Sequence, residues 1–102
     1  MINEDIKNDP FYYSIARKVA KQLKKEAENG YLTSEIKVAT LDKDGGCYAF
    51  SNRPRTLGEL GDFGQWGGPA SGLLRSINRI DFTRKEKKYI SRKWQQLIWG
   101  LK

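Results

Sequence analysis

The chain has 102 residues, of which 38% are apolar, 12% aromatic and 30% charged, a composition that folds around one core. It carries 19 Lys or Arg against 12 Asp or Glu, a formal charge of +7, with one cysteine and no histidine. These counts exclude a disulfide framework, zinc fingers, zinc hydrolases and histidine-activated nucleophiles, so no cofactor or metal is expected and catalysis is the weakest reading.

The excess charge is localised. Residues 1 to 72 carry ten basic and ten acidic side chains, whereas residues 73 to 102 carry nine basic ones against Asp81 and Glu86. One end of the chain is therefore expected to face a polyanion: nucleic acid, either DNA or RNA, first, an acidic protein surface second and an anionic membrane third. Met1 to Asp5 do not form a secretory signal, and no run reaches the roughly 18 apolar residues of a membrane span, so a cytoplasmic protein is expected.

In chain order, residues 1 to 8 are polar. Asp9 is placed to cap a helix that starts at Pro10, whose ring presets φ and whose missing N–H costs nothing there. Tyr12, Ile15, Ala16, Val19, Ala20, Leu23 and Ala27 recur at helical spacing, and Asn29-Gly30 ends the helix. Its basic flank, Arg17, Lys18, Lys21, Lys24 and Lys25, reads as a solvated face diluted by Glu26 and Glu28. Ile36, Val38 and Thr40 then alternate with other residues, and Cys47 to Phe50 follow a turn at Asp42 to Gly46. The period of two and the Asp44-Gly45 step predict a β-hairpin. Asp42 and Asp44 lack the later ligands of a calcium loop and read as turn chemistry. Tyr48-Ala49-Phe50 resembles, over three residues, the aromatic strand motif of RNA recognition motifs, but the four-stranded fold of that family cannot be drawn from this sequence.

Residues 58 to 72 hold six of the ten glycines. Gly58, Gly61, Gly64 and Gly67 recur every third residue, with Leu60, Phe63 and Trp66 at one phase, a period that fits neither helix nor strand. The stretch reads as a structured crossover, in which Leu60, Phe63 and Trp66 either plug the edge of the core or, through Trp66, form a binding surface. The Gly-x-x-Gly letters match the loop of KH domains, but Glu59 and Asp62 would repel phosphate there. Arg53-Pro54-Arg55 leads into the stretch and suits a phosphate contact or simple solvation equally.

After Gly67-Gly68, a second helix is predicted from Pro69, with Leu73, Leu74, Ile77 and Ile80 inward and Arg75 and Arg79 on a common face. A third helix is predicted from the Thr83-x-x-Glu86 capping box to about Trp99, burying Ile90, Trp94, Leu97 and Ile98. Arg84 and Lys85 stand at the positive end of its dipole, a placement disfavoured by about 0.3 to 1 kcal/mol each, so a compensating group outside the helix is expected.

The expected architecture is a single α+β domain over residues 1 to 102: an N-terminal helix, a β-hairpin with residues 51 to 66 open to supplying a third strand, a Gly-rich crossover and two C-terminal helices. The expected function is a small non-enzymatic nucleic-acid-binding protein that contacts phosphates and shape through Arg84, Lys85, Lys88, Arg92 and Lys93, with Arg75, Arg79, Arg53 and Arg55 as further anion contacts. The alternative is a protein-interaction module, an inhibitor or assembly factor, docking on an acidic partner surface or through Trp66 and its loop.

Overall fold

Asp9 accepts the Phe11 N–H at 2.8 Å and Pro10 opens helix α1, Pro10–Glu28, as its cap and first-turn residues require. The structure, a computed structural model, describes residues 9–58 and 63–101. Tyr12, Ile15, Val19 and Leu23 are buried along one stripe of α1, and Gly30 ends it with a φ of +75°. Strands β1, Val38–Leu41, and β2, Cys47–Phe50, form the expected hairpin, with Val38 opposite Phe50 and Leu41 opposite Cys47. Its turn closes through Gly45 N–H to Asp42 O and Asp42 N–H to Gly46 O, both 2.9 Å.

Two short strands follow, β3 (Arg55–Thr56) and β4 (Trp66–Gly67), then β5 (Leu74–Ser76). Helix α2 spans Arg84–Lys93, a single 3-10 turn covers Trp94–Gln96, and β6 is Ile98–Gly100. The main sheet is antiparallel, in the order β5-β2-β1-β6, and β3 pairs with β4 in a separate ribbon. The main sheet thus has two strands beyond the expected hairpin. Part of residues 51 to 66 does form strand, but it joins the ribbon and leaves the main sheet to β5 and β6.

Among the described residues there are two α-helices rather than the three expected. The predicted helix from Pro69 to Ile80 is absent, and Arg75 and Arg79 do not share a helical face. Gly72 sits at a φ of +72°, where an added Cβ would collide with Ser51 Oγ. Only about eight residues remain before Asp81, too few for a helix that must nucleate alone. The open edge of β2 uses them instead: Ser51 N–H donates to Leu73 O and Ile77 N–H to Cys47 O, both at 3.0 Å.

The last helix stops at Lys93, six residues before the predicted end near Trp99. β1 has a free edge, and Ile98 and Trp99, β-branched and aromatic, fill it opposite Thr40 and Ala39. Trp94 and Leu97 are buried, as the apolar spacing predicts for either course of the chain.

Both helices cover one face of the sheet. Ala39, Leu41, Cys47 and Ala49 point toward α1 and α2 and join Ile15, Val19, Ile90 and Trp94 in one core cluster. By the register, Thr40, Phe50 and Ile98 point to the other face, yet they too are buried, so the crossover between β2 and β5 must cover them. Trp66 ties that crossover to the sheet. Its indole N–H reaches Leu41 O at 2.9 Å and Trp94 O at 3.3 Å, and its backbone N–H donates to Asp42 Oδ1 at 2.9 Å. Phe63 does not plug the core beside it: it is 70% exposed, because Gly64 turns the chain at a φ of +71° and breaks the three-residue phase. Leu60 lies outside the described residues. No helix among the described residues is long and apolar enough to cross a membrane.

Candidate nucleic-acid interface

The two helices meet through Phe11 and Tyr89, whose ring centres are 6.2 Å apart, and through Glu86, which accepts from the Ser14 hydroxyl and from Lys18 Nζ at 2.6 Å. Thr83 caps α2 as the Thr-x-x-Glu spacing predicts: Glu86 N–H donates to Thr83 Oγ1 at 3.1 Å and Thr83 N–H to Glu86 Oε1 at 2.8 Å. Burial alone would raise the Glu86 carboxyl, but the hydrogen bonds from Lys18, Ser14 and Thr83 outweigh it and hold the group at about 2. Glu86 is the one acid of this first turn and already pairs with Lys18; among the described residues no acid outside the helix pairs with Arg84 or Lys85.

Glu26 is turned inward in the same way. It falls on the apolar stripe of α1, three residues after Leu23 and seven after Val19, and accepts from Asn78 N–H at 2.8 Å and from Gln22 at 3.3 Å. It does not dilute the outer face, contrary to the expectation from sequence.

The charged side chains on the outer surface of the helical layer are consequently almost all cationic. Arg17, Lys21, Lys24 and Lys25 of α1 and Arg84, Lys85, Lys87, Lys88, Arg92 and Lys93 of α2 are exposed, ten cations in all, whereas Glu28 is the one exposed acid on these two helices. Among the described residues none of the ten is in an ion pair; the pairs formed are Lys18 with Glu86 and, at 4.0 Å between two well-exposed groups, Arg79 with Asp81. On α2, Arg84, Lys88 and Arg92 follow at intervals of four, so like charges repel along the row. By sequence alone the α1 cations read as a solvated flank. The signal that could have included them was the inward phase of Glu26.

The remaining candidates are distributed. Arg79, in the loop between β5 and α2, shares a cleft with Lys87 and so adjoins the α2 group. Arg75 is in the middle of edge strand β5, half-exposed, opposite Ala49. Arg53 and Arg55 belong to the crossover, where they line a separate cleft of about 140 Å³ with Gly67, Gly68 and Ser71. Trp66 is half-buried against the core.

Two titratable groups lie inside rather than at this surface. Burial pushes the Asp42 carboxyl up to about 6, against the lowering effect of the Trp66 N–H, and pushes the Cys47 thiol up to about 12, which makes it a poor nucleophile. Among the described residues no three acids, cysteines or histidines converge as a metal site would require. Compared with protein-family models, curated proteins and solved structures, the chain shows no significant match to any.

Proposed function

We propose that this chain is a small cytoplasmic nucleic-acid-binding protein without catalytic chemistry, which lays the outer face of α1 and α2 along a phosphate backbone. The observation that carries this reading is the charge of that face, ten exposed cations against Glu28, with the two other acids of the helices held inside. Such a surface gains from counterion release, and its self-repulsion is relieved when phosphates arrive. Lysines and arginines on convex helices favour backbone and shape over base sequence.

A salt titration of binding to a generic duplex tests it. If about four phosphates are neutralised, log K falls with log salt at a slope near −3.6. Replacing Lys85, Lys88 and Arg92 with Gln should flatten that slope and weaken binding without unfolding the protein, since all three side chains are exposed. No detectable binding to DNA or RNA at low salt would reject the proposal.

The second reading is a protein-interaction module. Phe63, Leu73 and Leu74 are 70%, 45% and 52% exposed on the crossover and the β5 edge, away from the cationic helices. A pulldown that captures an acidic protein, with no nucleic acid bound in the titration, would favour it.

A further inference from the structure

We infer that the cleft between the hairpin turn, the β5–α2 loop and α2 receives an unpaired nucleotide of the bound strand, an inference that rests on the nucleic-acid reading above. The cleft has a volume of about 340 Å³, and its walls include Gly46, Tyr48, Arg79, Ile80, Phe82 and Lys87. That lies at the lower end of the ~300 to 1,000 Å³ of small-ligand sites, room for a base and sugar but not for a duplex.

The lining matches the two halves of a nucleotide. Among the lining residues Tyr48 and Ile80 are half-buried and Phe82 is buried, so the cleft has aromatic and apolar side chains in its walls for a base. Lys18, which is not part of the cleft lining, places its Nζ 5.8 Å from the Phe82 ring centre. Gly46 keeps the wall close: an added Cβ there would stand 3.3 Å from Tyr48 Cε2. Arg79 and Lys87 supply positive charge for a phosphate. Asp44, which also lines the cleft and accepts the Gly46 N–H at 2.9 Å, repels phosphate from the turn. The phosphate is thereby directed toward Arg79 and Lys87 and the base toward the hairpin.

Position adds to the chemistry. Lys87 lines this cleft and immediately precedes Lys88 of the cation row of α2, so a strand whose phosphates follow that row runs beside the cleft. A duplex keeps its bases stacked and cannot use the site; an unpaired base can, and stacking on aromatic side chains is the usual source of single-strand affinity.

The test is fluorescence anisotropy at low salt with a labelled 12-nucleotide single strand, the matching duplex and a free mononucleotide. Two double variants of equal charge loss are compared, Arg79→Gln with Lys87→Gln, and Arg84→Gln with Arg92→Gln. All four side chains are exposed, and thermal melting checks that the fold is retained. The first variant should lose about tenfold more affinity for the single strand than for the duplex, whereas the second should weaken both alike. Equal losses from both variants would overturn the inference while leaving the nucleic-acid reading intact. So would saturable binding of the mononucleotide as tight as that of the strand, which would assign the cleft to a free nucleotide. Absence of binding to either nucleic acid by the unaltered protein would remove both.

Discussion

Lys18 and Glu86, 68 residues apart in the chain, meet at 2.6 Å, and this contact fixes α2 against α1 while removing the one acid of α2 from its outer surface. Glu86 is almost fully buried and Lys18 about one-third exposed, so the pair is less screened than a surface ion pair, and the further bonds from Ser14 and Thr83 offset the desolvation of the carboxylate. Lys18 also donates to Asp81 O at 3.1 Å, which holds the start of α2 from outside. One lysine thus contributes both to the packing of the helical layer and to its charge pattern.

The pH dependence of stability follows. The Glu86 carboxyl is held at about 2 in the folded protein against an ordinary 4.5, so its contribution is complete above about pH 5 and is lost as pH falls toward 2. The contribution is on the order of 3 kcal/mol. Urea unfolding at pH 7, 5 and 3 should show this loss, and Glu86→Gln should be less stable at pH 7 but flatter between pH 5 and 3. Lys18→Met should cost about 1 to 3 kcal/mol at pH 7, because it leaves a buried carboxylate short of a donor. A double-mutant cycle in which the two changes add independently would contradict the coupling.

Asp42 acts with the opposite sign. Its carboxyl is raised by burial to about 6 from an ordinary 3.8, so the charged form is disfavoured in the fold and stability increases as pH falls from about 6 to 4. Asp42→Asn keeps a side-chain oxygen for the Trp66 N–H and removes the charge. It should therefore raise the melting temperature at pH 7 and have little effect at pH 4. Asp42→Ala, which removes the acceptor as well, should be the less stable of the two variants at pH 7.

Trp94 and Leu97 are 4% and 0% exposed at the point where the chain leaves α2 for β6. Truncating either to Ala should cost roughly 2 to 5 kcal/mol, a large share of the stability of a domain this size. Melting like that of the unaltered protein for either variant would show that the chain does not make this turn in solution.

Trp66 is the link between the crossover and the sheet. Trp66→Phe retains most of the apolar area but leaves Leu41 O and Trp94 O without the indole donor, for an expected cost of about 1 to 2 kcal/mol. Trp66→Ala also loses the edge-on contact with Trp94, whose ring centre is 6.1 Å away, and should cost more. If Trp66→Ala melts like the unaltered protein yet loses partner binding, the indole serves an interface rather than the core.

Tyr89 offers a simple check on the helical packing. Its hydroxyl is buried with no hydrogen-bond partner among the described residues, and burial pushes it up to about 12. Tyr89→Phe removes an unsatisfied polar group and should leave stability unchanged or raise it by about 1 kcal/mol. A clear loss would mean that the hydroxyl has a donor or acceptor in solution.

Local chemistry was legible wherever a short stretch decides its own conformation. Asp9-Pro10 starts α1, Asn29-Gly30 ends it, Asp42 to Gly46 turns the hairpin, and the Thr83-Glu86 box starts α2. Each depends on backbone preference or a hydrogen bond within five residues, so the sequence states it without help. The surplus of cations in residues 73 to 102 is likewise a property of composition.

What only the tertiary structure decided is where non-local partners compete for a segment. Residues 73 to 77 and 98 to 100 carry apolar spacing that a helix would accept, but β2 and β1 offered unpaired backbone edges, and ladder hydrogen bonds across the chain outweighed a weak local preference. The same holds for the charge map. Glu26 and Glu86 count as acids in any sequence sum, yet Asn78 and Lys18, each more than 50 residues away, satisfy them inside the fold. The composition alone determined that the chain is cationic; the folding of those two acids inward decided that its helical face is.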